Sequence, residues 1–141
     1  MQVQSEPFSI DLDARPFSPL RITKVDGDDH GRQLWALLDP LEFRLGVNGG
    51  SLWVTVPAKF LTDFASVPRL LWPLCPPAGQ WCEAAVVHDY LCRTVTCSRF
   101  LADAVFREAM ARLGVPLWRR VLMYYAVRCY GACLWIMGGQ G

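Results

Sequence analysis

The sequence predicts a single α+β domain, with an antiparallel β-rich N-terminal half packed on a C-terminal half of three helices. Short apolar runs separated by Pro, Gly and Asp fill residues 1–74, whereas apolar patterns with the helical period fill residues 75–141. The length of 141 residues fits one domain. A chain of this size can bury roughly 70% of the surface it exposes when unfolded.

Short β-branched and aromatic runs in the N-terminal half predict four strands. Turns are predicted at residues 26–29 and at Asn48-Gly49-Gly50, where the Asn-Gly pair tolerates the positive φ of a tight hairpin. Residues 57–73 have no clear period and are bounded by prolines, so they predict an ordered loop with a short helix near Pro68–Trp72. The predicted strands are Leu20–Lys24, Gln33–Leu38, Phe43–Val47 and Ser51–Val56.

Three helices are predicted in the C-terminal half, at Trp81–Arg93, Ser98–Leu113 and Leu117–Trp135. Ser98 is the expected N-cap of the second helix, and Gly114 the expected residue that follows its end. Pro116 suits the first turn of the third helix.

Composition narrows the class of protein. The chain is 52% hydrophobic and 19% charged, with a net charge of +1 and scattered basic residues, so nucleic-acid binding is not expected. Residues 1–10 lack the basic and apolar regions of a signal peptide. The six cysteines are therefore expected to be reduced thiols that serve as small core residues.

The third helix carries a long apolar stretch, Val121–Met137, which Arg128 interrupts. A membrane-spanning helix needs about 20 apolar residues. Packing against the core or a partner is therefore the leading interpretation, ahead of membrane-surface contact through residues 117–137 and of a membrane span.

His88-Asp89 in the first helix is the centre of the candidate site. At 100° per residue, His88 shares the apolar face of this helix with Val87 and Leu91, while Asp89 lies on the flank, four residues before Arg93. The pair is interpreted either as a core histidine beside a surface Asp89–Arg93 ion pair, or as part of a chemical site.

Asp103 lies at the edge of the apolar stripe of the second helix. If the first two helices pack antiparallel, Asp103 approaches His88 and fixes the tautomer of the imidazole, so that the other ring nitrogen acts as a general base on water. The alternative is a solvated ladder of ion pairs with Arg99 and Arg107.

Asp63 stands in the irregular segment Thr62-Asp63-Phe64-Ala65-Ser66. Together with Asp89 and loop carbonyls, its carboxylate could bind a hard cation. The alternative is that Asp63 and Ser66 cap the short helix that follows.

Four motifs lie between residues 43 and 137: Phe60-Leu61-Thr62-Asp63-Phe64-Ala65-Ser66-Val67-Pro68-Arg69, Ala84-Ala85-Val86-Val87-His88-Asp89-Tyr90-Leu91, the second helix with Ala102-Asp103, Phe106 and Ala109-Met110, and Trp118-Arg119-Arg120. Through these motifs, residues of about 43–137 resemble a phage and prophage family, domain-of-unknown-function family 1353. The resemblance implies a phage or prophage origin, with a location in the host cytoplasm or the virion, and it implies no activity.

The two helical segments are also similar to the catalytic helices of secreted and bacterial phospholipases A2. That resemblance implies that His88 is the general base on a water, Asp103 orients it, and Asp89 binds a calcium ion that polarises the ester carbonyl. The glycine-rich calcium loop of those enzymes is not evident, so the Asp63 loop would have to replace it. The matching positions are His88, Asp89, Asp103, Phe106 and Met110.

A zinc site is a less favoured alternative. Its ligands would be Cys82, His88, Cys92 and Cys97, but their spacing matches none of the usual structural zinc patterns, and core thiols explain them equally well.

Two functions are carried forward from the sequence. The first is a phage-encoded, metal-assisted hydrolase that attacks an ester, with a lipid as the expected substrate. The second is a non-catalytic phage structural or assembly protein of the tail or baseplate, which binds neighbouring phage proteins through aromatic side chains and uses its His/Asp cluster as a structural network. The hydrolase requires a water-accessible His88, whereas the assembly protein requires that the cluster be buried. The aromatic side chains are Trp118, Tyr124, Tyr125, Tyr130 and Trp135.

Overall fold

An antiparallel β part precedes three α-helices, which confirms the predicted α+β class. The computed structural model describes residues 17–28, 33–45, 52–64, 73, 81–94 and 97–138. The predicted turn at Asn48-Gly49-Gly50 and the predicted short helix near Pro68–Trp72 lie outside the described residues.

Three strands form the first sheet, in the order β1-β2-β5. β1 (Ile22–Asp28) and β2 (Gln33–Leu37) pair antiparallel, with an irregularity in register between Val25 and Asp28. The predicted turn is therefore wrong at residues 26–28, because this irregular pairing extends β1 through them. β1 also begins two residues later than predicted.

A short strand, β5 (Leu61–Thr62), pairs antiparallel with the other edge of β2. The segment predicted as loop therefore contains a strand. Two backbone hydrogen bonds lead into it, from Lys59 N to Leu37 O and from Leu37 N to Phe60 O. A two-residue strand has no period, so the sequence pattern could not reveal it.

β3 (Leu41–Leu45) and β4 (Leu52–Val56) form the predicted antiparallel hairpin, with Leu41 opposite Val56 and Leu45 opposite Leu52. β3 begins two residues before the predicted strand. Leu41 and Phe43 are buried while the residues between and after them are exposed, which is the alternation of a half-buried strand.

The three helices are α1 (Cys82–Thr94), α2 (Arg99–Arg112) and α3 (Leu117–Ile136), within two residues of the predicted bounds. Ser98 caps α2, because its hydroxyl accepts a hydrogen bond from Leu101 N. Gly114 follows the end of α2 with a φ of 75°, and hydrogen bonds from Gly114 N to Ala111 O and from Val115 N to Met110 O close a Schellman motif.

The core lies between the β part and the helices, and α1 is its central element. α1 packs against β3 and β4 and against α2, and α2 in turn packs against α3. No helix in the described ranges is long and apolar enough to cross a membrane. The largest fully buried side chains include Trp81, Phe43, Phe106, Leu37, Leu41, Met110 and Met123.

The cysteines are less buried than expected. Cys92, Cys129 and Cys133 are exposed, so the expectation that cysteines fill the core is wrong for these three, none of which forms a disulfide. Cys97 is partly buried and packs against the core.

Candidate functional site

His88 and Asp103 form a hydrogen bond across the interface of α1 and α2. The distance from His88 Nε2 to Asp103 Oδ1 is 2.7 Å. Both residues are enclosed, with exposed fractions of 3% and 0%. The short connection between the two helices brings the side chains together, as the sequence predicts for antiparallel packing.

Arg128 of α3 is the third member of this cluster. Its Nη1 lies 3.1 Å from Asp103 Oδ2, and its guanidinium stands 5.2 Å from the centre of the Phe100 ring. Each oxygen of Asp103 therefore faces a different cationic side chain. Sequence reasoning missed this partner, although a single arginine inside a long apolar stretch is the signal that could have indicated it.

The alternative of a solvated ion-pair ladder along α2 is wrong, because Asp103 is fully buried. The neighbouring arginines of α2 lie elsewhere on the helix. Arg107 stands over the ring of Tyr124, and Arg99 lies so close to Gly131 that a Cβ there would clash with it.

The electrostatics of the cluster favour a charged imidazole. Burial of the ring lowers the pKa of His88, but the hydrogen bond to Asp103 and the nearby Cys92 raise it by more, to about 9. Cys92 Sγ lies 3.6 Å from His88 Nε2. At neutral pH the ring is therefore an imidazolium that donates to the Asp103 carboxylate.

Asp89 is buried rather than exposed on the flank of α1, so the interpretation of a surface ion pair is wrong in that respect. The predicted pairing with Arg93 is present, at 3.1 Å from Arg93 Nε to Asp89 Oδ1. Burial raises the pKa of Asp89, although Arg93 and a hydrogen bond from Thr62 oppose that rise. Among the described residues, Asp89 Oδ2 has no hydrogen-bond partner.

Asp63 follows β5, and its side chain is buried against Arg93, with 3.4 Å from Arg93 Nη2 to Asp63 Oδ1. On the C-terminal side of Asp63, Phe64 N donates a hydrogen bond to the Thr62 hydroxyl at 3.2 Å, and Phe64 has a positive φ of 55°. Arg93 also donates to Leu61 O at 3.2 Å. The structure thus brings Asp63 and Asp89 together through Arg93. Ser66, the other proposed cap, lies outside the described residues.

The calcium ion expected from the sequence would be bound by the carboxylates of Asp63 and Asp89. A calcium ion takes six to eight oxygen ligands, whereas Asp63 and Asp89 share the guanidinium of Arg93. No group of three or more His, Cys, Asp or Glu side chains that could hold a metal occurs in the described part of the chain. For the zinc alternative, Cys97 Sγ is directed at Leu91 O, at 3.7 Å.

The two clusters adjoin at the neighbouring residues His88 and Asp89 of α1, and we name them together the polar layer. Asp63, Arg93 and Asp89 join β5 to α1, and His88, Asp103 and Arg128 join α1 to α2 and α3. Such a layer can fix the mutual positions of four elements. General-base catalysis requires in addition that the imidazole be neutral and in contact with water.

A second feature with functional potential is the outer side of α3. A row of side chains faces outward within a sector of roughly 80° around the helix axis, at 100° per residue. We name this row the outer stripe. Met123, Val127 and Gly131 face the opposite way and are buried. The outer stripe consists of Trp118, Val121, Tyr125, Cys129, Ala132 and Ile136, all exposed.

The comparisons with known proteins place this chain in a family. Residues 35–127 match the family described as "Protein of unknown function (DUF1353)", and the chain belongs to that family. The match includes Asp63, His88, Asp89 and Asp103, and it ends one residue before Arg128.

One relative is "Uncharacterized protein y4jT" of Sinorhizobium fredii (strain NBRC 101917 / NGR234), which is 34% identical over 92 residues. The aligned region is 64% of this chain and 27% of the relative, so the chain corresponds to a minor part of that protein's length. No solved structure matches this chain. Neither description names an activity.

Proposed function

We propose that this member of the DUF1353 family is a non-catalytic assembly domain. The buried His88–Asp103 pair and its partner Arg128 hold the helices in place, and α3 presents the outer stripe to a partner. The setting that we propose, a tail or baseplate protein of a phage or prophage, has its support in the motif resemblance alone.

The observation that carries this proposal is the enclosure of the His88–Asp103 pair between two helices. With 3% of His88 and none of Asp103 exposed, the pair has little contact with water. Arg128 engages the second oxygen of Asp103, and the pKa of His88 is about 9. An enclosed imidazolium is suited to a structural ion pair and poorly suited to accept a proton from water.

The surface of α3 supports the second half of the proposal. A helix that is apolar on both its inner and its outer side is normally covered on both sides. Among the described elements, α2 packs on the inner side of α3, and the side chains of Tyr125 and Ile136 remain largely exposed. Exposed apolar patches of this kind commonly mark interaction sites.

Hydrolysis of esters and phospholipids, measured with and without calcium, tests the non-catalytic function. We expect wild-type rates equal to those of His88→Gln, whose folded state is verified by circular dichroism. Turnover that His88→Gln abolishes while the variant stays folded would contradict the proposal. If His88→Gln does not fold, the wild-type pH–rate profile decides, because a general base at this site would produce activity that rises with pH through about 9.

The hydrolase is a second candidate, and one observation favours it. The 2.7 Å bond between His88 and Asp103 has the length required of a base and its orienting carboxylate. For catalysis the ring would have to lose its proton and gain access to water. Calcium-dependent turnover by the wild-type chain that Asp103→Asn reduces without unfolding would favour this candidate.

A further inference from the structure

A cysteine stands at the edge of the His88–Asp103 pair, and the proposed function does not use it. His88 and Cys92 lie four residues apart on α1, so they share one side of that helix. We propose that Cys92 is a modification site, where a sulfur held against the His88 ring exchanges with small disulfides dissolved in the solvent. This inference goes beyond the proposed function, because it concerns a thiol reaction that neither assembly nor hydrolysis requires.

The sulfur is in hydrogen-bonding contact with the imidazole. Cys92 Sγ lies 3.6 Å from His88 Nε2, the same nitrogen that lies 2.7 Å from Asp103 Oδ1. Because Asp103 keeps a proton on this nitrogen, the sulfur faces a positively charged N–H group. Enclosure of the ring and its contact with the Phe106 ring, at 5.0 Å between centres, hold the imidazole in this orientation.

The charges around the sulfur favour its thiolate form. Asp103 is shared between His88 and Arg128, at 2.7 and 3.1 Å. Two cations and one carboxylate leave this cluster with a net positive charge, which a thiolate at its edge would balance. The adjoining carboxylate of Asp89 has a cation of its own, Arg93, at 3.1 Å.

Cys92 is the accessible member of the cluster. It is exposed, whereas His88 and Asp103 are 3% and 0% exposed, so a dissolved molecule can reach the sulfur while the ring and the carboxylate stay enclosed. Reactive cysteines combine a neighbouring cation with access to solvent. Cys92 lies in the last turn of α1, where the helix dipole disfavours a negative charge. The thiolate therefore depends on the imidazolium.

The reaction is thiol–disulfide exchange. The Cys92 thiolate attacks one sulfur of the incoming disulfide, a new S–S bond forms to Cys92, and the old S–S bond breaks. The leaving thiolate takes a proton from water, which matches the proton that Cys92 has released. Cys92 is oxidised and the leaving half is reduced. The partner is an external disulfide, because Cys97, the next cysteine along the chain, directs its sulfur at Leu91 O.

The chain contains its own reference thiols. Cys129 and Cys133 are exposed on α3, and within the described residues neither sulfur has a hydrogen bond or a cationic contact. They therefore share the exposure of Cys92 and lack its imidazolium. A difference in rate between Cys92 and Cys129 consequently reports the effect of the His88 contact.

Oxidised glutathione is the probe, and mass spectrometry of peptides from the folded wild-type chain gives the rate at each cysteine. At about pH 6, we expect Cys92 to react at least about 5-fold faster than Cys129, because few ordinary thiols are ionised there and the weaker nucleophilicity of a stabilised thiolate offsets only part of the gain. Cys92→Ser should remove the fast reaction, and the matched control Cys129→Ser should leave it. In urea the two rates should become equal.

His88 is a positioning residue in this reaction, and two measurements test its role. His88→Gln should slow Cys92 to the rate of Cys129 or below. In the wild type, a mixed disulfide at Cys92 removes the charge of the sulfur, so the pKa of His88 should fall below about 9 on NMR titration. Blocking Cys129 in the Cys92→Ser variant should leave the pKa of that variant's His88 unchanged.

Equal rates at Cys92 and Cys129 in the folded wild type overturn the inference, and this result requires no variant to fold. A difference that persists in urea also overturns it, because local sequence would then be the cause. The same holds for a fast Cys92 whose rate a folded His88→Gln chain leaves unchanged. The hydrolysis assay is run without disulfides, so its outcome and the outcome of this test are independent.

Discussion

Asp103 is the residue on which the polar layer depends most. It is fully buried, and its two oxygens face His88 and Arg128 at 2.7 and 3.1 Å. Replacing a whole buried ion pair by apolar residues can be neutral, but removing one partner leaves the other charge without compensation. Here the loss of one carboxylate would leave two cationic side chains facing each other.

Asp103→Asn is therefore expected to lower the free energy of unfolding by about 3–5 kcal/mol, the usual cost of breaking a buried pair. Urea unfolding measures the change. The control is Asp39→Asn, because Asp39 pairs with Arg21 on the exposed surface at 2.8 Å. Its expected effect is at most about 1 kcal/mol. Equal effects of the two substitutions would contradict the central role of Asp103.

At the scale of elements, Arg93 couples β5 to α1. It contacts the Asp63 carboxylate and Leu61 O from the β5 segment and the Asp89 carboxylate from its own helix. Without this guanidinium, two buried carboxylates would remain close together, and like charges disfavour the ionised form. The pKa of Asp89 is already raised, with burial as the main cause.

Arg93→Met should consequently destabilise the protein at neutral pH, and the loss should shrink as the pH is lowered. The sign follows from Asp89: a carboxyl whose pKa is raised in the folded state adds stability as the pH falls through that value towards 3.8. Unfolding free energies of variant and wild type at a series of acidic pH values measure this. A loss that is independent of pH would indicate that Arg93 contributes through packing alone.

The helices could be predicted from the sequence because their signals are local. Ser98 and Gly114 mark the two ends of α2, and the structure uses both as caps. β5 and the extension of β1 could not be predicted, since both depend on pairing with β2. β5 is distant from β2 in sequence, and the pairing of β1 with β2 is irregular in register. The pairing of His88 with Asp103 followed from antiparallel helices, whereas the position of Arg128 depends on how α3 packs on α2.

At the scale of the whole molecule, the polar layer couples global stability to pH through His88. The pKa of His88 is about 9 in the folded chain, against 6.5 for an unperturbed histidine. A raised pKa contributes stability that is fully present below about pH 6.5 and is lost as the pH rises through about 9.

The free energy of unfolding should accordingly fall between pH 6.5 and 9. Denaturant titrations across this range measure the slope. His88→Gln should flatten it. A stability that is constant across this range in the wild type would show that His88 has the same proton affinity in both states.

The central claim is that His88 is an enclosed imidazolium with a structural role. NMR titration of its ring in the His30→Gln variant tests this most directly, because that chain contains a single histidine. The account predicts an apparent pKa of about 9 and a ring proton that exchanges slowly with water. A pKa near the unperturbed 6.5, with rapid exchange, would contradict the claim and return His88 to the role of a base in contact with solvent.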